Sequence, residues 1–589
     1  MKHNLAMALT LAPLFAYATD VRIGGKVINK GGAPVAGCRI TLAHEPALTG
    51  STGSDGAFLI SGTTGLRGLL IRSAAAISPS GETGIDALGR SWVPGFSSVP
   101  IFQSAYRISP TASEGASEGG AAAKSAAAAP SGDTVLIACA EYPDRKIAIA
   151  GYSAEMGNLK VSKPNIVYIM ADDLGWHELN TYGNTFTETP NLNRLASQGV
   201  RFTNAYASAP VCSPTRGSLM TGQYPARVGI LDFLPAKTPI HLDTAHVTMA
   251  ERLRDAGYKT GMIGKWHLTG YASEGQIEIG PDKHGFQEVI STEETYIGGG
   301  DYWFPYFWNP ALKKILPDSE YQVDRFNAQA VDYIARHKDE TFFLYLAHMA
   351  VHEGLDGKPA LVAKYAAKPG ANATTNTPKM AAMVESVDQG VGMILDTLKA
   401  LGLDSNTLVI FNSDNGGVLD VGDNGPLREG KAWLYEGGIR EPLLAQWKGV
   451  IPANAVCDAP VITADMYPTL LEAGKTARDP KQVFDGASFF PQLKDAKAPM
   501  PARNLYWHYP LAKPGGHNAP SAGAMRQGNW KLIQFFVEGK QELYNLKDDP
   551  GEAKDLATTN PAKLKELNGL MGQWRTGLKA FMYPGQRGP

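Results

Sequence analysis

A cysteine heads the stretch Val211 to Gly222, V-C-S-P-T-R-G-S-L-M-T-G, two residues before Pro214 and four before Arg216. Proline has its φ preset for a first helical turn and misses no hydrogen bond there, so the spacing predicts a helix starting at this point. Cys212 then sits at the helix N-terminus, where unpaired N–H groups and the dipole favour an anion. Arg216, one turn on, adds a planar positive fork suited to a tetrahedral oxyanion. The local chemistry is that of a reactive side chain at an anion site. An isolated cysteine in such a place is otherwise a small buried hydrophobe.

Four apolar runs elsewhere end in groups that bind cations or move protons. Asn165 to Ala171 ends in Asp172-Asp173, and Thr260 to Gly264 ends in Lys265-Trp266-His267. Phe342 to Ala347 leads to His348 and His352, and Thr407 to Asn412 ends in Ser413-Asp414-Asn415. These runs read as buried strands of a parallel sheet, whose carboxyl ends share one edge, where ligands bind. Clustered there, Asp172, Asp173 and Asp414 would repel and raise one another's pKa. A hard divalent cation resolves this, and with Asn415 the all-oxygen set favours calcium or magnesium over zinc. Taken alone, an Asp-Asp pair after a strand is equally a strand-end turn. Lys265 can hold anionic oxygens, and an imidazole such as His267 can take a proton near neutral pH.

Cys-x-Pro-x-Arg, followed after four residues by Thr221-Gly222, resembles the signature of the type I sulfatases, in the alkaline-phosphatase-like superfamily. The resemblance covers residues 163–580 or so. It implies that Cys212 is oxidised to formylglycine by a formylglycine-generating or anaerobic sulfatase-maturating enzyme. The hydrated aldehyde attacks sulfur through one hydroxyl and expels sulfate by deprotonation of the other. It implies a calcium ion on Asp172, Asp173, Asp414 and Asn415, completed by a formylglycine oxygen. Lys265 and His267 match the family's Lys-x-His pair. Lys431 lies in P-L-R-E-G-K-A-W-L-Y-E-G-G-I-R-E-P, which is similar to the family's segment after the Asp-Asn pair. By the same resemblance Lys431 and His352 face the leaving alkoxide, with His352 as proton donor and His348 as its structural competitor. Two departures stand out. Val351 replaces the Pro common before this His, and His177-Glu178 stands where relatives carry smaller residues, which makes His177 a candidate substrate contact. Arg428, Glu436, Arg440 and Glu441, charges amid glycines, read as loop-fixing ion pairs.

The elements that must position these groups follow from the rest of the chain. Its 589 residues exceed one ordinary domain. A net charge of −2 gives no reason to expect nucleic acid or an anionic membrane as partner. Residues 1–18 read as a secretory signal: Lys2 and His3, an apolar run from Leu5 to Phe15, then Ala16-Tyr17-Ala18. No stretch is long enough to span a bilayer, so the protein is expected to be exported to the periplasm or beyond. Of four cysteines, Cys38 and Cys139 share one predicted domain, which leaves a bridge between them open.

Residues 19–162 read as a small β-sandwich resembling carboxypeptidase-regulatory or transthyretin-like modules. Val21 to Val27, Cys38 to Leu42, Ala57 to Ile60, Thr134 to Ala140 and Lys146 to Ala150 are strand-like, and 111–133 is a low-complexity insert. Residues 163–500 alternate apolar runs with capped helices, an α/β pattern with a mostly parallel sheet flanked by helices. Thr189-Pro190, Thr248-Met-Ala-Glu251 and Thr377-Pro378 read as helix starts. Residues 501–589 alternate apolar and polar residues and close with a helix from about Pro561, resembling the family's small C-terminal antiparallel sheet. His508, in Y-W-H-Y-P, is a candidate to reach over the site.

Tyr302, Trp303, Phe304, Tyr306, Phe307 and Trp308 follow three glycines. Such density fits stacking on sugar faces, through Trp303 and Trp308, or a packing plug. The substrate expected is a sulfated glycan or another sulfate ester. Two other functions fit the same fold: phosphate or phosphonate monoester hydrolysis, and glycan binding without catalysis. Relatives built for phosphorus often carry further metal ligands, and no clear second set is present; the parts needed for turnover are all here.

Overall fold

In the computed structural model the chain divides into two compact units, residues 1–164 and 165–589. In its first 162 residues the structure describes seven strands and Ser54. Beyond them it describes 163–586 apart from 236–237, 270–278, 292–301, 307–311, 318, 373–374, 513–517 and 585. The signal-like residues 1–17, Cys38, the insert 111–133 and Trp308 lie outside the described residues.

The N-terminal unit holds two small sheets. The first, ordered β4-β1-β7, joins β1 (Ala18–Ile28), β4 (Ala57–Gly65) and β7 (Ser153–Lys160). The second, ordered β3-β2-β5-β6, joins β2 (Arg39–Leu42), β3 (Glu45–Ser51), β5 (Thr134–Cys139) and β6 (Tyr142–Ala148). The strand-like runs overlap β1, β2, β4, β5 and β6, with Cys38, Ala140 and residues 149–150 outside the described residues. The unexpected β3 and β7 are edge strands of sequence E-P-A-L-T-G-S and S-A-E-M-G-N-L-K. Paired on one side only, they lack the β-branched alternation that marks a half-buried strand.

The larger unit is built on a nine-stranded sheet, ordered β11-β10-β12-β8-β13-β14-β9-β15 with β16 also on β9. Its strands are β8 (Asn165–Ala171), β9 (Val200–Tyr206), β10 (Lys259–Gly264), β11 (Glu288–Ser291), β12 (Phe342–Ala347), β13 (Thr407–Ser413), β14 (Arg440–Gln446), β15 (Ala455–Cys457) and β16 (Val461–Ile462). Only β14 runs antiparallel to its neighbours. The central strand β8 is buried at every position. Ile166, Tyr168 and Met170 enter the core on one face, and Val167 and Ile169 enter the core on the other. This is why it reads as a continuous apolar run and not as an alternating one.

Helices cover both faces: α1 (Pro190–Ser197), α2 (Cys212–Thr221), α3 (Met249–Asp255), α4 (Gln322–Arg336) and α5 (Pro378–Ala400). Leu219, Met249 and Leu253 join the first core, while Leu192, Phe326 and Val387 join the second. The capping box of α3 forms as expected: Thr248 Oγ1 accepts from Glu251 N–H at 3.2 Å, and the Glu251 carboxylate accepts from Thr248 N–H at 2.8 Å. Thr189 does not cap α1, because its hydroxyl is held by Asn180. Asp388, from the middle of α5, instead accepts from the N–H groups of Asn191 and Leu192. Among the described residues no helix is long and apolar enough to cross a membrane.

A four-stranded antiparallel sheet follows: β17 (Asn504–Tyr509), β18 (Ala522–Gln527), β19 (Trp530–Phe535) and β20 (Gln541–Asn545), with α6 (Pro561–Leu578) against it. A buried polar knot fastens it to the α/β core. Lys531 pairs with Glu436 at 2.9 Å and Glu552 at 2.8 Å, and Tyr206 OH donates to Glu436 at 2.6 Å. Arg440 approaches the same Glu436 at 3.5 Å, and Arg428 lies over the Tyr435 ring. Arg428, which donates to Tyr544 OH and Glu552 O and to no carboxylate among the described residues, and Glu441 depart from the ion-pair expectation. For Glu441 the reason is its surroundings. It is buried beside Asn412 and has no cation partner among the described residues.

Candidate active site

The α2 helix begins where its sequence predicts. Val211 is extended, Cys212 is the first helical residue, and Gly222 ends the helix with φ +68°. The strand ends bring the other groups to the same edge. At the end of β10, Gly264 has φ +106°, and a Cβ there would meet Ala347 O at 1.8 Å. Only glycine lets β10 pass β12 this closely before Lys265 turns inward. Asp173 and His267 also have positive φ, of 58° and 57°. Such conformations are sparsely populated at non-glycine residues and persist where the packed surroundings hold them.

Around Cys212 the side chains form one buried network. Its Sγ lies 3.7 Å from Asp172 Oδ1 and 3.5 Å from Lys265 Nζ, and Lys265 also pairs with Asp172 Oδ2. Asp173 Oδ2 accepts from Lys431 Nζ at 2.6 Å, and Asp173 Oδ1 accepts from Asn415 Nδ2 at 2.7 Å. His352 Nε2 lies 3.1 Å from Lys431 Nζ. His267 Nε2 is 3.1 Å from Leu234 O, so this nitrogen carries the proton and Nδ1 is the ring's acceptor.

Arg216 is a correction. Its Nε and Nη2 donate to Asp414 Oδ2 at 3.0 and 2.7 Å, and Nη1 donates to Lys265 O at 2.7 Å. The guanidinium is therefore committed to fixing Asp414 and Lys265 and offers no free fork to an anion. A buried fork satisfies its donors on the nearest fixed acceptors, and spacing alone does not reveal these.

The electrostatics follow from burial. The Cys212 thiol is pushed up to about 12 by loss of solvent, so unmodified it stays protonated at neutral pH. Burial, with Asp414 adding, lifts Asp172 to about 7. Burial alone would also raise Asp173, but Lys431 and His352 beside it hold it below the carboxylate range. Burial pushes His352 down to about 3 and His267 well below its ordinary value, so both imidazoles are neutral. Lys431 is raised despite burial, by Asp173, and keeps its proton.

A cation fits the donor set. Asp172, Asp173, Cys212 and His352 each offer an atom, all within 4.8 Å of one another. The Asn415 amide oxygen is buried without a hydrogen-bond partner, as a metal ligand is before its ion arrives. Asp414 completes the oxygen set through Oδ1, which keeps a lone pair beyond the bond it accepts from Asp173 N–H, whereas both sites of Oδ2 are taken by Arg216.

Other candidates lie elsewhere. His348 is buried against Phe326 and makes no contact with the network. His508 Nε2 donates to Phe581 O, 2.7 Å away, and the ring packs on Phe536 and Trp574. Strand alternation turns it away from the catalytic face, to which Trp507 and Tyr509 point through bonds to Ala207 O and Asp232. Trp303 donates to Asp356 at 2.8 Å and packs on Tyr321 at 4.9 Å. Tyr302 OH meets Met349 O and His352 O, so the described aromatics form a plug that buttresses the His352 loop. His177 is tied to Asp423 Oδ2 at 2.6 Å. Tyr509 and Asp232 went unnoticed in the sequence, although period-2 alternation in Y-W-H-Y places Tyr509 opposite His508.

Beside His177, buried Glu178 accepts from Asp423 N–H at 2.5 Å. Burial pushes it up to about 8, against the Asp423 N–H bond, which favours the charged form. The folded chain therefore binds a proton that the unfolded chain releases between about pH 4.5 and 8. Stability falls as pH rises through that window. Glu178→Gln removes this dependence: the melting temperature of wild type relative to the variant should drop between pH 5 and pH 8, roughly the window set by the linkage. A constant difference would contradict the assignment.

Comparison with known proteins agrees with this geometry. The family model described as Sulfatase matches residues 164–476, and one described as N-sulphoglucosamine sulphohydrolase, C-terminal, matches 429–573. A protein named Sulfatase from Formosa agariphila is 33% identical over 474 residues, 68% of this chain and 86% of that one. An N-acetylgalactosamine-6-O-sulfatase from Bacteroides thetaiotaomicron is 29% identical over 488 residues, 70% and 93% of the two chains. The crystal structure of Ps i-CgsB in complex with k-i-k-neocarrahexaose superposes with a TM-score of 0.61 at 30% identity, covering 70% of this chain and 92% of that one.

Proposed function

The chain belongs to the sulfatase family, an enzyme that hydrolyses sulfate esters, and on that premise we propose that it is an exported carbohydrate sulfatase acting through formylglycine at position 212 and calcium. The observation that carries the proposal is the placement of Cys212. It heads a helix, 3.5 Å from Lys265 Nζ and 3.7 Å from Asp172, with a thiol pushed up to about 12. A thiol that stays protonated is a poor nucleophile, so Sγ is read as standing where an oxygen of the modified residue acts.

Formylglycine supplies a hydrated aldehyde that both attacks and releases sulfate, and calcium supplies fixed positive charge beside the ester oxygens. Asp172, Asp173, Asp414 and Asn415 would hold the ion. Lys265 is positioned to bind sulfate oxygens next to the reacting atom. His267, neutral and with Nδ1 as its acceptor, can take a proton. Lys431 and His352 form a proton-bearing pair 3.1 Å apart, in which the ammonium donates to the neutral imidazole. The proton available to the leaving alkoxide is the one Lys431 holds, and His352, neutral and accepting from Lys431, positions that ammonium and is not itself the donor it was expected to be. Arg216 fixes the ligand carboxylates, and the buried plug fixes the His352 loop.

A carbohydrate substrate is supported by the relative named for N-acetylgalactosamine 6-O-sulfate and by the neighbour solved with a neocarrahexaose. A galactose-type sugar is the first choice. Export rests on the signal-like residues 1–18, and a maturating enzyme is the partner the cysteine requires. Matured protein should release sulfate from N-acetylgalactosamine 6-sulfate or carrageenan oligosaccharides. Phosphate and phosphonate monoesters should be turned over more slowly by orders of magnitude. Faster release of phosphate than of sulfate would overturn the reading.

A further inference from the structure

The mouth of the site is lined by a segment that none of the roles above uses. Residues 232–234 are pinned directly to the reaction centre. Leu234 N–H donates to Ser213 Oγ at 3.0 Å, and Leu234 O meets His267 Nε2 at 3.1 Å. Ser213 is the neighbour of Cys212. From the C-terminal sheet, Tyr509 OH donates to Asp232 Oδ1 at 3.0 Å, and the Tyr509 hydroxyl lies within electrostatic reach of the Cys212 thiol. Two separate parts of the chain thus meet at Asp232, two residues before the Leu234 that bonds Ser213 and His267.

The Asp232 carboxylate is held by one of its oxygens only. Oδ1 accepts from Tyr509 OH and from Phe233 N–H, the latter at 2.8 Å. Oδ2 has no hydrogen-bond partner among the described residues, and the residue is half-buried. Oriented by two donors, an ionised carboxylate still offers the lone pairs of its second oxygen. Phe233, next in sequence, is 47% exposed, an unusual state for so large an apolar side chain. A fixed acceptor beside an open aromatic face is the pairing a sugar needs: hydroxyls to one, C–H surface to the other.

We propose that Asp232 is a substrate-positioning residue, whose Oδ2 accepts a hydrogen bond from a hydroxyl of the sugar that carries the sulfate ester, with Phe233 covering the face of that ring. The assignment rests on the carbohydrate reading above. It also sets a preference. A carboxylate at that point welcomes a hydroxyl donor and repels a second sulfate, so the site selects sugars that are unsulfated where Asp232 meets them. Burial raises the Asp232 pKa, as expected of a carboxylate kept partly dry while waiting for a donor.

Asp232→Asn is the informative variant. Its Oδ1 keeps both donors, while an NH2 group replaces the free acceptor, so a sugar hydroxyl meets a donor in place of a lone pair. Matured full-length protein is assayed on N-acetylgalactosamine 6-sulfate and on 4-nitrophenyl sulfate, which has no hydroxyl to offer. The loss in kcat/KM on the saccharide should exceed the loss on the aryl ester by about tenfold or more, mainly through KM. Tyr509→Phe, which removes one orienting donor, should show a smaller selectivity change of the same sign. Equal losses on the two esters for both variants would overturn the assignment and make the pair structural. Saccharide binding to Cys212→Ala protein is measured alongside. Wild type that cleaves the aryl ester but does not hydrolyse the saccharide, with no saccharide binding to Cys212→Ala protein, overturns the carbohydrate reading, and Asp232's role with it. Wild type that hydrolyses it, with Asp232→Asn unselective, overturns Asp232's role alone.

Discussion

Cys212→Ala should abolish sulfate release, by on the order of 10⁴-fold or more, while the protein stays folded. The reason lies in what surrounds the side chain. Lys265, Asp172 and the start of α2 all converge on Sγ, and every other group in the network acts on something bound there. Removing the nucleophile therefore leaves the remaining groups with nothing to assist. The structural cost is small, because Sγ makes one 3.7 Å and one 3.5 Å contact and the thiol is uncharged. Cys212→Ser tests the chemistry more narrowly. A serine can attack once but cannot release its own sulfate ester, so any activity should stop at a single turnover. Sustained turnover by the serine variant would remove the need for an aldehyde.

Asp414→Ala should lose metal, activity and stability together. Asp414 and Arg216 are both buried, and the carboxylate takes two of the guanidinium's bonds. Its removal leaves the buried Arg216 with only Asp172, 3.8 Å away, as counter-charge, at a cost of about 3–5 kcal/mol. It also removes one ligand and releases the backbone of Asp173, whose N–H is bonded to Asp414 Oδ1. Activity should fall by on the order of 10³-fold. Asp414→Asn separates the effects, since the amide keeps the shape but weakens both the ion pair and the ligand. Calcium titration of the two variants against wild type, with melting curves in and out of chelator, checks both. Full calcium affinity in Asp414→Ala would contradict the ligand assignment.

The positions of the reacting groups were legible because they sit at the ends of buried parallel strands. There a run of apolar residues such as Asn165 to Ala171 ends abruptly in Asp172-Asp173, and the ends share one edge of the sheet. The start of α2 was legible for a local reason, a proline in its first turn. Partner choice was not legible. Arg216 bonds a carboxylate 198 residues away, and α1 is capped by Asp388 from α5 and not by its own Thr189. Such pairings depend on the finished packing. Orientation within a short strand was also lost: His508 and Tyr509 are neighbours, yet alternation sends one into the α6 interface and the other over the site. The aromatic segment from Tyr302 to Tyr306 could be read as platform or plug. Trp303 on Asp356 and Tyr321, and Tyr302 on the His352 loop, make it a plug.

The central claim is that Cys212 acts as formylglycine. Mass spectrometry of the peptide spanning Val211 to Gly222, taken from preparations of graded specific activity, tests it most directly. Sulfate release should rise in proportion to the aldehyde fraction at position 212 and extrapolate to zero for wholly thiol protein. A fully active preparation in which Cys212 is entirely thiol would contradict the account.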